Sequence, residues 1–180
     1  RTGANSIMNP YDRHALEAAL SLRDIHGGTV TVITMGPPQA EAVLLEAVAM
    51  GADEIYLLTD RAFGGADTLA TSYTLSEAIR SLGSFDMIFC GEESIDSNTA
   101  QVGPQIAAML GIPDISAAVG LVLDGQKAIV TRRTEEASEV IEVSLPVLVT
   151  ASAALNTPRY PSVMGVMKKW NIKAKIITAA

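Results

Sequence analysis

The sequence predicts an α/β fold in which a mostly parallel sheet carries helices on both faces and is followed by C-terminal antiparallel strands. Three observations carry that expectation. Amphipathic helical segments alternate with short β-branched or apolar runs through residues 9–110, the pattern of strands buried on both faces and linked by crossover helices. Gly or Pro punctuates nearly every junction between them. Beyond Pro113 the helical period gives way to apolar runs with a turn signal between the first two, as hairpin-connected strands require.

Taken in order, Asn9-Pro10 opens a helix that places Ala15, Leu16, Ala19, Leu20 and Leu22 at helical spacing, and Gly27-Gly28 ends it. Residues 29–34 (Thr-Val-Thr-Val-Ile-Thr) form a buried strand that delivers the chain to the turn Met35-Gly36-Pro37-Pro38. Residues 39–50 form the next helix, stopped by Gly51. The cycle repeats as strand 54–58 and helix 68–82, then as strand 85–90 and helix 99–110. Residues 115–123, 128–134 and 139–150 are expected to be antiparallel strands, with Asp124-Gly125 turning the first hairpin. Asn156-Thr157-Pro158-Arg159-Tyr160-Pro161 is too rich in proline for regular structure, and a short helix runs from there through Lys169.

Composition narrows the function. The 180 residues suit a single domain spanning 1–180 with one core. No run approaches the eighteen or so apolar residues of a spanning helix, so no membrane span is expected. A net charge of −7 argues against sequence-independent binding to nucleic acid, which needs a surplus of Lys and Arg on one face. The single Cys90 excludes an internal disulfide and fits a reducing compartment, with the cytoplasm as the expected location. Arg1-Thr2-Gly3-Ala4-Asn5 has neither an initiator Met nor the pattern of a signal peptide, so the chain is expected to begin inside a longer protein and either end to be trimmed.

In an open α/β sheet, ligands bind beyond the carboxyl ends of the strands, where helix N-termini offer N–H groups to anions. Three segments fall there: Met35-Gly36-Pro37, Gly64-Gly65-Ala66-Asp67-Thr68, and Gly91-Glu92-Glu93-Ser94-Ile95-Asp96-Ser97-Asn98-Thr99. The third combines backbone donors, hydroxyls and carboxylates suited to a ribose or an adenine amino group. On spacing alone it reads rather as a capped strand-to-helix turn, because Ser97, Asn98 and Thr99 are all good N-cap residues. Neither a Walker A loop nor a GxGxxG fingerprint is present, which disfavours an ordinary NTPase or NAD-binding domain.

Catalytic constellations are missing as well. His14 and His26 sit on different turns of the first helix and read as solvated, Cys90 as buried and inert, and Glu135-Glu136 as a solvated turn. With no expected catalytic residue and no metal site, the chemistry is assigned to a bound cofactor.

An ordered set of motifs carries a resemblance: Asn9-Pro10 before an Ala/Leu-rich helix, Ala49-Met50-Gly51-Ala52-Asp53 before a strand, and Gly91 to Asp96 followed by Thr99-Ala100-Gln101-Val102-Gly103-Pro104. The Leu145-Pro146 strand and Asn156-Thr157-Pro158-Arg159-Tyr160-Pro161 complete it. Over residues 6–169 the chain resembles electron transfer flavoprotein β subunits. The resemblance implies a Rossmann-like fold of the adenine-nucleotide α-hydrolase type and a partner α subunit that carries its own FAD. It also implies an adenine nucleotide held by Asn9, Pro10, Tyr11, Asp12, Met35 and residues 91–102, namely Gly91, Glu92, Glu93, Ser94, Ile95, Asp96, Ser97, Asn98, Thr99, Ala100, Gln101 and Val102. Ordinary members hold a structural AMP there and take electrons from acyl-CoA dehydrogenases. Electron-bifurcating members hold a second FAD.

Asp67-Thr68-Leu69-Ala70-Thr71-Ser72-Tyr73 resembles the bifurcating group's motif beside its β-subunit flavin, which adds Asp67, Thr68 and Thr71 to the expected contacts. Thr99-Ala100-Gln101-Val102-Gly103-Pro104 looks like that group's pyrophosphate-side helix start. Without the family context, Thr68, Thr71 and Ser72 could merely cap and solvate a helix. The bifurcating reading implies electrons from NADH, passed to ferredoxin or flavodoxin and, through the α-subunit FAD, to an acyl-CoA dehydrogenase or quinone-linked acceptor. A nucleotide-binding stress or sensor domain is a reading outside the family, but it leaves the Asn-Thr-Pro-Arg-Tyr-Pro segment unexplained. Two departures stand out: Ala137-Ser138 replace the glycine usual near that hairpin, and no part of the sequence matches the family's opening strand or its C-terminal arm.

Overall fold

The computed structural model describes residues 6–179, so the ends of the expected 1–180 domain lie outside the described residues. In chain order the elements are helix α1 (Pro10–His26), strand β1 (Thr31–Met35), helix α2 (Glu41–Met50) entered through a 3-10 turn at Pro38–Ala40, strand β2 (Glu54–Leu58) and, after a 3-10 turn at Arg61–Phe63, helix α3 (Thr68–Leu82). Strand β3 (Met87–Gly91), helix α4 (Val102–Leu110), strands β4 (Asp114–Asp124), β5 (Lys127–Arg133), β6 (Ser138–Ser144) and β7 (Val147–Ala151), helix α5 (Val163–Lys169) and strand β8 (Lys175–Ile177) follow. The fold is α/β, as the alternating pattern predicts. It comprises two compact units: one takes Arg23–Ala66 and the residues from Arg159 onward, the other Asn9–Leu22 and Asp67–Pro158.

The first unit is built on a parallel sheet of order β1-β2-β8. Ile55, Leu57 and Leu58 of β2 and Leu44, Ala47 and Val48 of α2 are buried in it. Asp53 organises the entry to both early strands: its Oδ2 accepts from the Val30 N–H at 2.8 Å and from Arg23 Nη1 at 3.1 Å. Strand β8 was not expected from the sequence. Three residues starting at a lysine carry no periodic signal of their own; the Glu41 carboxylate, accepting from the Ala174 N–H at 3.0 Å, leads the chain into pairing with β2. Helix α5 lies directly against α2, where a Cβ at Gly165 would collide with the Ala49 carbonyl oxygen.

The second unit carries a five-stranded sheet of order β3-β7-β4-β5-β6. Strands β3, β7 and β4 run parallel, whereas β4, β5 and β6 are antiparallel neighbours. The expected single strand 139–150 is therefore two strands with different partners. Pro146 has no N–H to continue a ladder, and the chain leaves the sheet edge there and returns as β7 between β3 and β4. All five residues of β7 (Val-Leu-Val-Thr-Ala) are buried, the signature of a central strand covered on both faces. Ile115, Ala118, Ala128, Val130, Val147 and Val149 form one core cluster, and Ile79, Ile106, Ala107 and Leu148 form another where α3 and α4 meet the sheet. The hairpin that lacks the usual glycine still closes: the Thr134 N–H donates to the Ala137 carbonyl at 2.8 Å, and the Ala137 N–H donates to Thr134 Oγ1 at 3.1 Å.

Candidate functional site

All but one of the residues expected to hold a nucleotide lie in the second unit; Met35, the last residue of β1, belongs to the first. The centre is where β3 ends and α1 begins. Asp12, in the first turn of α1, accepts the Gly91 N–H on Oδ1 at 2.7 Å, while Asn9 Nδ2 donates to Asp12 Oδ2 at 3.2 Å and to the Glu93 carbonyl at 2.8 Å. These three bonds fix the Asn9 amide: its nitrogen is committed, and its oxygen points the other way. Asn9 Oδ1 is buried and has no hydrogen-bond partner. A buried acceptor left unpaired costs about 1–3 kcal/mol, so it calls for a donor.

Asp12 is exposed as a residue, but the protein packed around its carboxyl group desolvates it and pushes its pKa up; the Gly91 N–H and the Asn9 amide pull the other way. The close approach of α1 depends on Gly91, where a Cβ would lie 2.7 Å from Tyr11 Cβ. Pro10 starts the helix, where its missing N–H costs nothing.

From Gly91 the chain runs through a loop rather than directly into a helix. Glu92 N–H extends the sheet by donating to Ala151 O at 3.0 Å, Asn98 N–H donates to Ser94 O at 2.9 Å, and the hydroxyls of Ser94 and Ser97 lie 2.7 Å apart. Asn98 and Ala100 take positive φ values of 49° and 52°, so residues 99–101 cannot join the helix as expected and α4 begins at Val102. This overturns the reading of Ser97, Asn98 and Thr99 as N-caps: the cap position is Gln101, whose side chain makes no capping bond. Ile95 through Gln101 are exposed. Asn tolerates the left-handed region, but at Ala100 such backbone is strained, and strain of this kind gathers at ligand-binding loops.

Helix α4 is pressed onto the sheet through Gly103, where a Cβ would stand 2.7 Å from Thr150 Cγ2 and 3.0 Å from Cys90 Sγ. Beside it begins α3. Asp67 caps that helix by accepting from the Ala70 N–H at 2.8 Å, and Thr71 N–H donates to the Asp67 carbonyl at 2.9 Å. Thr68 Oγ1 lies 3.3 Å from Gln101 Oε1. Ser72, by contrast, is neither cap nor solvated: it is fully buried against α4.

The expected residues of this unit include the carboxylates Asp12, Asp67, Glu92, Glu93 and Asp96 and no Lys or Arg. A phosphate here would therefore rest on helix-start N–H groups and hydroxyls, and the carboxylates suit the hydroxyl and amino donors of a nucleoside. Cys90 is half-buried, with its thiol pushed up to about 12 by burial and then by the charges of Asp12 and Asp114, so it is no nucleophile at neutral pH. Among the described residues no group of three or more His, Cys, Asp or Glu side chains is placed to hold a metal, and no helix is long and apolar enough to cross a membrane.

Two side-chain contacts in this unit were not expected from the sequence. His14 is part-buried and tied to Asn156: its Nδ1 lies 3.0 Å from the Asn156 backbone carbonyl and 3.1 Å from Asn156 Oδ1, and Asn156 Nδ2 donates to the His14 carbonyl at 2.9 Å. Gln105 reaches Ser72 across the helix pair at 2.9 Å. Helical spacing from Gln101 was the available signal for Gln105, whereas the His14 contact spans most of the chain and leaves none.

Comparison with known proteins bears on this geometry. Residues 1–176 match the electron transfer flavoprotein domain. The chain is 54% identical over 180 residues to an electron transfer flavoprotein subunit beta of Thermoanaerobacterium thermosaccharolyticum, covering 99% of this chain and 69% of that protein. It is 51% identical over 179 residues to the protein of the same name from Clostridium acetobutylicum, covering 99% and 69%. It is also 53% identical over 168 residues to the caffeyl-CoA reductase-Etf complex subunit CarD of Acetobacterium woodii, covering 93% and 64%. The chain thus spans about two thirds of the length of these relatives.

Proposed function

Since the chain belongs to the electron transfer flavoprotein β-subunit family, we propose that it is the nucleotide-holding half of an αβ heterodimer, with FAD bound by Asn9–Asp12, Asp67, Thr68, Thr71 and residues 91–102. Met35 joins that set on the resemblance alone. The observation that carries the reading is Asn9 Oδ1, a buried acceptor with no partner in the protein, oriented by an amide whose nitrogen is already spoken for. A nucleoside hydroxyl or amino group is the donor that position wants.

The start of α4, where the cap residue's side chain makes no bond, supports the same reading, because the N–H groups of Val102 and Gly103 and the macrodipole favour a phosphate. A second helix start, at Asp67 and Thr68, supports a ligand larger than AMP. FAD supplies one- and two-electron chemistry when bound, which would let the complex send electrons from NADH to ferredoxin or flavodoxin and, through an α-subunit FAD, to an acyl-CoA dehydrogenase or quinone-linked acceptor. The protein's own part is placement: Asp12 and Asn9 hold the loop, Gly91 and Gly103 let α1 and α4 approach, and the carboxylates orient hydroxyls. The name of the Acetobacterium relative, a subunit of a caffeyl-CoA reductase-Etf complex, supports a partner that works on CoA thioesters. A cytoplasmic location follows from this reading.

The test is a ligand count on the αβ complex after denaturation and separation of its nucleotides. Two FAD and no AMP per heterodimer is the expected result. One FAD with one AMP would instead make this subunit a scaffold with a structural AMP, serving acyl-CoA dehydrogenases through the α subunit alone.

A further inference from the structure

Among the polar contacts that join α3 to α4 and its cap residue Gln101, three are spaced four residues apart along each side. Thr68 Oγ1 faces Gln101 Oε1 at 3.3 Å, Ser72 Oγ faces Gln105 Oε1 at 2.9 Å, and Ser76 Oγ faces Met109 Sδ at 3.6 Å. That spacing keeps all three on one stripe of each helix. The first contact is made by residues assigned to the nucleotide. The second and third are set back from it, with Ser72 and Ser76 wholly buried.

A hydroxyl at this interface is not needed for packing, since alanine fits where two helices meet. Nor does Ser72 need Gln105 for its own satisfaction, because the Thr68 carbonyl of its own helix lies 2.7 Å away. With a single proton to give, Ser72 donates to that carbonyl and is free to accept from Gln105, whose amide oxygen and nitrogen are interchangeable at this geometry. Ser72 Oγ also lies 3.4 Å from the Val102 carbonyl, in the first turn of α4. One hydroxyl therefore touches the starts of both helices: Thr68 O on α3, and Val102 O and the Gln105 side chain on α4.

The sheet holds α4 from the other side. Gly103 sits against Thr150 and Cys90 with no room for a Cβ, so the start of α4 cannot move inward. A slide of α4 along α3 is opposed at its start by the Ser72–Gln105 contact and at its far end by Arg80 Nη2, which donates to the Met109 carbonyl.

We propose that Ser72 and Gln105 are positioning residues that lock the starts of α3 and α4 in one register, so that Thr68 and Gln101 meet a single dinucleotide together. This rests on the nucleotide reading above. A ligand confined to one helix start would be indifferent to the lock, whereas one that bridges both would lose affinity without it.

The test uses the full αβ heterodimer stripped of its nucleotides, with FAD and AMP as the titrated probes, and compares Ser72→Ala, Gln105→Met and the double variant. Thr74→Ala serves as the control, since its hydroxyl bonds only the Ala70 carbonyl on an outer face of α3. Each single variant should weaken FAD binding about fivefold, the worth of one net hydrogen bond, and the double variant no more than either single. Thr74→Ala should leave affinity unchanged. A fall in melting temperature with unaltered FAD affinity, or additive losses in the double variant, would overturn the proposal. If Ser72→Ala does not assemble, Gln105→Met on its half-exposed side chain carries the same test. Failure of the unaltered heterodimer to bind either probe overturns the nucleotide reading along with this one; unchanged affinity in the variants overturns this one alone.

Discussion

The Gly91 N–H donates to Asp12 Oδ1 at 2.7 Å, and the approach that makes this bond possible leaves no space on the glycine for a side chain. A Cβ there would stand 2.7 Å from Tyr11 Cβ and 2.8 Å from both the Asp12 backbone nitrogen and Oδ1. Tyr11 Cβ and the Asp12 nitrogen are at or next to the backbone, and no rotamer change moves them aside. Gly91→Ala must therefore displace the first turn of α1, at a cost of about 1–3 kcal/mol for overpacking. Thermal unfolding should show a midpoint several degrees lower; a midpoint within about one degree would mean that the helix start yields easily.

Asp12 also sets a dependence on pH. Its folded pKa is raised, chiefly by burial, so the stability it contributes is present when it is protonated and is lost as pH rises through that folded value. Asp12→Asn cannot ionise and keeps an acceptor for the Gly91 N–H. The variant should be at least as stable as the unaltered chain at pH 7 and should lose that advantage at about pH 4 and below, where an ordinary Asp is itself protonated. Urea midpoints at the two pH values measure this. A variant weaker at pH 7 and equal at pH 4 would show that the two hydrogen bonds outweigh burial.

Thr150 is the buried polar residue at the heart of β7, and its Oγ1 accepts the Ala117 N–H at 3.0 Å. Ala117 sits at the irregularity in the β4–β7 pairing with a φ of 58°, where its N–H is turned away from the ladder. Thr150→Val keeps the volume and orphans that N–H, so it should cost about 1–3 kcal/mol in chemical denaturation, while Thr150→Ser should cost less. Equal losses in the two variants would show that the Cγ2 methyl, which only the serine variant lacks, is worth as much as the hydrogen bond.

The periodic elements were legible because a single local signal fixes each of them. Helix α3 and strand β2 fall on the expected residues 68–82 and 54–58, since Asp67 caps the first and an apolar run defines the second. The errors arise where a partner far along the chain decides. β8 exists through pairing with β2, the split of 139–150 follows from a return to the sheet centre, and His14 takes its role from Asn156. At the site, the composition of the run after β3 marked a loop beyond a strand end, but the left-handed Asn98 and Ala100 moved the helix start. A run rich in Ser, Asn and Thr reads as a cap until its backbone is seen.

Cys90 gives the last prediction. Its thiol is raised from 9.0 to about 12, first by burial and then by the negative charges of Asp12 and Asp114, so at pH 8 only about one molecule in ten thousand would carry the thiolate. Iodoacetamide should label the folded chain far more slowly than the chain in denaturant, where the thiolate fraction returns to that of an ordinary cysteine. The same shift makes stability fall as pH rises from about 9 towards 12, because the unfolded thiol ionises before the folded one. Lys127 and Lys175, whose pKa values are also raised by their partners, lose favourable interactions in the same range, so the slope of the unaltered chain is not diagnostic on its own. Cys90→Ser removes one contribution and leaves the lysines in place, and its stability should decline less steeply above pH 9. Parallel declines in the two proteins, together with fast labelling of the folded state, would mean that the thiol reaches solvent and that the Gly103 start of α4 does not seal it.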